Sequence, residues 1–176
     1  MSGGYSGAMP ATPPLIVVMG VSGSGKTTIG EALAARLGVP FADADSLHPA
    51  ANIAKMAAGH PLTDADRRPW LADVGARMAR SEGTGLVMAC SALKRAYRNA
   101  ILAVEPRVRF LDLEGSRGLL ESRVEHRRGH FMPVSLLDSQ LATLEPLAAD
   151  EPGFRIDLDS YPTPGSLIDA ALKEFV

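Results

Sequence analysis

The chain has a single cysteine in 176 residues, aromatic side chains at only 5%, and no surplus of positive charge. A lone thiol can form neither an internal disulfide nor a cysteine-rich metal site. Cys90 closes the apolar run Leu86-Val87-Met88-Ala89-Cys90, so it is expected to be buried, in a reducing, cytoplasmic setting. A formal net charge of −2 leaves nothing to neutralise a polyphosphate backbone, which argues against nucleic acid as the main partner. The longest apolar run near the N-terminus, Leu15 to Met19, is far too short to span a bilayer and has no basic segment before it, so the sequence indicates neither membrane insertion nor secretion. The four histidines, at 48, 60, 126 and 130, include no HExxH-type pair, which argues against a histidine-bound metal; His60 is read as a surface residue.

At 46% hydrophobic residues, the chain can bury about two-thirds of the surface its unfolded form exposes. Residues 1–13, rich in Gly, Ser and Pro, are expected to be a flexible tail, and 14–176 a single domain. Strand-like runs at 15–19, 39–43, 85–90, 107–113 and 154–158 alternate with segments of helical period. That alternation predicts an α/β fold with a central parallel sheet of about five strands and helices on both faces. The first helix carries Ile29, Leu33 and Leu37 on one face and ends at Gly38. Another is expected to start near Thr63 or Asp64 and to bury Trp70, Leu71, Val74 and Met78.

The segment Gly20-Val21-Ser22-Gly23-Ser24-Gly25-Lys26-Thr27 satisfies G-x-x-x-x-G-K-[ST], with a strand before it and a helix after it. Glycines let consecutive backbone N–H groups converge on phosphate oxygens, and the helix adds its positive end. Lys26 is read as the partner of the β- and γ-phosphates, Thr27 as a Mg²⁺ ligand, and the adjoining Thr28 as part of the nucleotide site. The pattern points to a bound nucleoside triphosphate and leaves kinases, ATPases and GTP-dependent switches open.

After the second strand comes Phe41-Ala42-Asp43-Ala44-Asp45, at the sheet edge where α/β folds bind ligands. In an extended segment residues two apart point the same way, so both carboxylates can face one cavity. Asp45 is read as the base that accepts a hydroxyl proton, and Asp43 as the metal-side carboxylate. The other reading of the same residues is structural: Asp45 or Ser46 could cap the helix that follows.

The run Asp45-Ser46-Leu47-His48-Pro49, then Asn52 to Met56, Gly59 to Asp64 and Asp66-Arg67-Arg68-Pro69-Trp70-Leu71, resembles the signature block of the gluconokinase family. Cys90 to Arg98, His130-Phe131-Met132-Pro133 and Ser139-Gln140 resemble further patterns of that family, and the likeness covers essentially residues 15–176. One departure is Ala44, where the family usually has glycine. The resemblance implies a nucleoside-kinase-like P-loop fold with a mobile lid. It also implies transfer of the ATP γ-phosphate to the 6-hydroxyl of D-gluconate with Mg²⁺, feeding the pentose phosphate or Entner–Doudoroff routes, by a homodimer.

A polyhydroxylated acid needs a cation for its carboxylate and polar groups for its hydroxyls. The motif block offers His48, Arg67, Lys94 and Arg98, with His130 added by the family pattern. Arg67 and Arg98 are ranked first because a guanidinium fork matches a carboxylate. His48, followed by proline, also suits a helix start.

The segment Arg123-Val124-Glu125-His126-Arg127-Arg128-Gly129-His130 is dense in cations and resembles the lid of shikimate-kinase-like enzymes. That likeness assigns Arg123 to the adenine and Arg127 or Arg128 to phosphate, where charge develops during transfer. A solvated helix face balanced by Glu121 and Glu125 is the competing reading. Two functional alternatives stand beside gluconate phosphorylation. One is another kinase of this architecture, with shikimate, adenylylsulfate or a nucleoside monophosphate as acceptor. The other is a GTP-dependent switch, for which Asp112-Leu113-Glu114-Gly115 supplies D-x-x-G but no N-K-x-D follows.

Overall fold

Leu15–Met19 are buried along their whole length and form the central strand β1. Such a run, with no polar face, suits a strand covered on both sides. Its odd and even positions divide between two cores: Ile16 and Val18 pack on one face of the sheet, Leu15, Val17 and Met19 on the other. The computed structural model describes residues 12–126 and 134–176. Positions 1–11 of the expected tail therefore lie outside the described residues, as do Arg127, Arg128 and His130 of the expected lid.

Along the chain follow α1 (Lys26–Leu37), β2 (Phe41–Asp43), a 3₁₀ turn (Ala44–Leu47), α2 (Ala50–Ala57), α3 (Asp64–Ala79), β3 (Leu86–Ala89) and α4 (Arg95–Val104). Then come β4 (Arg109–Glu114), α5 (Arg117–Glu125), α6 (Val134–Thr143), β5 (Gly153–Asp157), a second 3₁₀ turn (Leu158–Ser160) and α7 (Pro164–Phe175). The five strands pair in the order β2-β3-β1-β4-β5, all parallel. The expected strands thus form, each within about two residues of its predicted ends.

Helix α1 ends as its sequence predicts, with Gly38 left-handed at φ 68° and its N–H turned back on the last turn. Helix α3 opens on a capping box: the Thr63 hydroxyl accepts from the Asp66 N–H, and the Asp66 carboxylate accepts from the Thr63 N–H. It buries Trp70, Leu71, Val74 and Met78 against the β1–β3 face of the sheet. Helices α1 and α7 cover the opposite face through Leu33, Leu37, Leu167 and Phe175. Among the described residues, no helix is long and apolar enough to cross a membrane.

Candidate active site

The carboxyl ends of β1, β2 and β3 meet at one cavity of about 660 Å³. Its floor is the loop between β1 and α1. Gly20 leaves the strand at φ 145°, where a side chain would sit 2.9 Å from the Leu113 carbonyl and 2.7 Å from the Ser24 hydroxyl. Glycine is therefore required on steric grounds, and the close approach draws the loop against β4. The Gly20 N–H reaches the Ser91 carbonyl just past β3 at 3.4 Å, and Lys26 Nζ donates to the Val21 carbonyl at 3.1 Å. These contacts brace the loop at the N-terminus of α1, where a helix start favours an anion. Ser22, Gly23, Gly25, Lys26, Thr27 and Thr28 line it; Val21 and Ser24 are buried in the loop itself.

Asp43 and Asp45 line the same cavity. The expectation that an extended backbone would aim both carboxylates alike is corrected in one respect. Only Asp43 is extended; Asp45 lies in the 3₁₀ turn. The turn forms because Asp43 Oδ1 accepts from the Asp45 N–H at 2.9 Å; the α-helix that follows, α2, starts after Pro49 with no side-chain cap, so neither Asp45 nor Ser46 caps it. This capping leaves the Asp45 carboxylate uncommitted to the backbone. Burial, and after it the negative charge of Asp43, raise the Asp45 carboxyl above its ordinary value, against the opposing pull of His48 and Lys26. A carboxylate made more basic in this way is suited to accept a proton.

His48 follows the turn, and its ring stacks on Trp70 at 4.2 Å between centroids, 14° from parallel. The Trp70 indole N–H donates to the Ala44 carbonyl at 2.7 Å, so one residue of α3 supports both the turn carrying Asp45 and the imidazole beside it. Burial lowers the His48 pKa, and Arg67 lowers it further while Asp45 opposes them, which favours the neutral ring.

Arg67 lies one turn before Trp70 on α3, with its Nη1 on the Leu62 carbonyl at 2.7 Å and near the Tyr97 hydroxyl at 3.4 Å. Lys94 stands across from it, and the two cations lie 5.5 and 5.6 Å from the centre of the Tyr97 ring. Arg98 belongs elsewhere, and its expected contact with substrate is corrected. It is fully buried, paired through Nε and Nη2 with Glu151 at 2.6 and 2.9 Å, and its Nη1 is spent on the Ala92 and Glu145 carbonyls. Such a guanidinium is a clamp between α4 and the loop before β5.

Arg123, on α5, bends over the phosphate loop, its Nη1 3.4 Å from the Ser24 carbonyl, and lines the cavity. Sequence reasoning assigned no role to Gln140, whose Oε1 accepts from the Ser22 N–H, or to the wall formed by Leu158, Tyr161, Pro162 and Leu167. The sequence carries a signal for the wall: Tyr161-Pro162-Thr163-Pro164 is a rigid entry to a helix, with Thr163 as its cap. Cys90 is buried behind the carboxylates, its thiol pushed up to about 12 chiefly by desolvation, so it is no nucleophile. Asp112 of the D-x-x-G sequence is buried in β4 and accepts from the Leu147 N–H, away from the cavity wall. The switch-protein reading loses its residue there.

Residues 15–147 match the family model described as AAA domain. The chain is 47% identical over 170 residues to the gluconokinase of Gluconobacter oxydans (strain 621H), covering 96% of this chain and 92% of that one. The crystal structure of a gluconokinase from Sinorhizobium meliloti 1021 superposes with a TM-score of 0.81 at 46% identity, covering 92% of this chain and 90% of the other. That of a sugar kinase from Janibacter sp. HTCC2649 gives 0.82 at 49%, covering 92% and 93%. With this identity extending along nearly its whole length, the chain belongs to the gluconokinase family.

Proposed function

We propose that the protein transfers the γ-phosphate of ATP to the 6-hydroxyl of D-gluconate, giving 6-phosphogluconate and ADP. The observation that carries this reading is the presence of the Lys26 loop and the Asp43–Asp45 turn in the walls of one cavity. The loop amides and Lys26 hold the triphosphate, Arg123 contacts the nucleotide, and the Leu158–Leu167 wall receives its base. Asp45, raised by burial, takes the proton of the attacking hydroxyl as the O–P bond forms and the bond to ADP breaks. Arg67 and Lys94 meet the acid end, and His48 a hydroxyl.

A magnesium ion fits the donor set of one hydroxyl and one carboxylate, Thr27 and Asp43, because this ion keeps most of its waters and takes the rest of its ligands from phosphate. When bound it would offset negative charge on the phosphates. Thr27 and Asp43 would hold it. Arg127, Arg128 and His130 complete the proposal as lid and substrate contacts. The homodimer and the reducing cytoplasmic setting belong to it as well, the latter supported by a buried unpaired thiol.

The deciding experiment is a coupled assay of purified protein with ATP, Mg²⁺ and a panel of sugar acids, shikimate, adenylylsulfate and nucleoside monophosphates. Turnover that depends on gluconate is the expected result. Nucleotide consumption indifferent to gluconate would reject the reading, and Asp45→Asn should retain nucleotide binding while transfer falls by orders of magnitude.

A further inference from the structure

The two cations of the acceptor end already share an anion. Asp64, the first residue of α3, accepts from the Tyr97 hydroxyl at 2.5 Å, pairs with Lys94 at 3.2 Å, and lies 3.8 Å from Arg67. Its carboxylate is half exposed, so the cluster opens to solvent and is not a buried structural pair. The Tyr97 hydrogen bond and then the Lys94 bond lower its pKa, and the Asp64 bond raises that of Lys94. Both ions are therefore charged at neutral pH, and with the fixed charge of Arg67 the cluster sums to one positive charge.

The cluster is also in register with the reacting end. Asp64, Arg67 and Trp70 are spaced by three, so they share one face of α3. Trp70 stacks on His48 and bonds the Ala44 carbonyl beside Asp45. From Asp64 to Trp70 the helix rises about 9 Å, a span comparable to an extended six-carbon acid.

We infer that Asp64 is a specificity-determining counter-ion, which holds Arg67 and Lys94 in place and reduces their combined charge to the single unit that matches a monocarboxylate acceptor. The inference rests on the gluconate reading above. It assigns the acid end of the acceptor to the exposed sides of Arg67 and Lys94, with Tyr97 as the hydroxyl that fixes the carboxylate of Asp64 between them. The grip on the substrate is thus tempered by design of charge: an anion a few ångströms from both cations offsets part of their attraction for an incoming carboxylate.

The test compares gluconate with gluconamide, which keeps every hydroxyl and loses the charge. In Asp64→Asn the side-chain oxygen can still accept from Tyr97 and Lys94, but the cluster carries two positive charges. The ratio of kcat/KM for gluconate to that for gluconamide should rise about three- to tenfold over wild type, through a lower gluconate KM, and the gain should shrink as salt is raised. Asp64→Ala, which removes charge and hydrogen bond together, should give a smaller gain than Asp64→Asn because Lys94 loses its anchor. A ratio that is unchanged or lower in Asp64→Asn, with wild type still preferring gluconate, overturns the counter-ion role and leaves the gluconate reading intact. Wild-type protein that turns over both equally overturns the acid end at Arg67 and Lys94, and this inference with it, but not gluconate turnover; wild-type protein that turns over neither overturns the gluconate reading as well.

Discussion

The backbone N–H of Ser22, within the phosphate loop, donates to Oε1 of Gln140 at 2.6 Å, although 118 positions separate the two residues. Gln140 belongs to α6, the helix that follows the basic segment expected to form the lid. One side chain therefore ties the position of α6 to the geometry of the loop that grips phosphate.

Replacing Gln140 by leucine removes this acceptor from a buried amide, a loss of about 1–3 kcal/mol at that group. The expected outcome is a rise of about three- to tenfold in the KM for ATP, with a melting temperature lower by several degrees, as a loss of that size implies. Gln140→Glu keeps an acceptor oxygen but sets a negative charge against the triphosphate, and its KM for ATP should rise further. Steady-state kinetics on the two variants check the order; equal values in both and in wild type would make the contact incidental.

The coupling of Asp43 to Asp45 predicts a pH effect with a definite sign. The negative charge of Asp43 is the second cause, after burial, of the raised Asp45 carboxyl. A base must be ionised to act, so the acid limb of the kcat/KM profile should lie above the ordinary carboxylate range. Asn at position 43 can still accept from the Asp45 N–H, so Asp43→Asn keeps the turn while removing the charge. The limb should then move to lower pH, with a lower plateau from the lost metal-side oxygen. A limb that stays in place would assign the ionisation to another group.

The pair of Arg98 and Glu151 predicts lost stability and no loss of recognition. Both side chains are almost completely buried, so Arg98→Met strands the Glu151 carboxylate and should cost about 3–5 kcal/mol, read from urea denaturation. Adding Glu151→Leu should recover part of that cost by removing the stranded charge, with the Ala148 N–H, which donates to Glu151 Oε2, left unpaired. The KM for gluconate of the folded single variant should equal that of wild type. A KM raised tenfold or more would return Arg98 to the substrate.

These cases show where a sequence stops being legible. The phosphate loop could be read because strand, glycines, lysine and helix form one contiguous unit whose geometry is local. Strands β1 and β3 could be read because both faces are buried, which leaves a run of apolar residues with no polar position. Arg98 was misassigned because its partner lies 53 residues farther on. Its helix nonetheless held a clue: Ile101 is three positions later on the inner face, so the guanidinium points into the core. The Asp43 cap was local, but the shared-face argument assumed an extended backbone that the cap itself ends. The Asp64–Tyr97 and Ser22–Gln140 contacts join separate elements of the fold, and no spacing along the chain announces them.

Asp112 provides a stability test that is independent of catalysis. It is buried in β4; Oδ2 accepts from the Leu147 N–H, while Oδ1 has no hydrogen-bond partner. Desolvation is the main cause that raises its pKa to about 6, with Glu114 adding to it and the Leu147 bond, Arg98 and Arg155 opposing. The folded pKa thus lies above the unfolded value near 3.9, so the folded state binds the proton more tightly. Its contribution is fully present below about pH 4 and is lost as pH rises toward 6, a total on the order of 3 kcal/mol, of which about 1 kcal/mol falls between pH 5 and 7. Other carboxylates act in the opposite sense, among them Asp66, held at about 2 mainly by Lys55. The quantity to measure is therefore the difference in unfolding free energy between wild type and Asp112→Asn, by urea titration at several pH values. Asparagine cannot ionise, so wild type should lose ground against the variant steadily from pH 5 to 7. A difference that stays flat across that range would mean that the carboxyl ionises in the fold as it does in the unfolded chain.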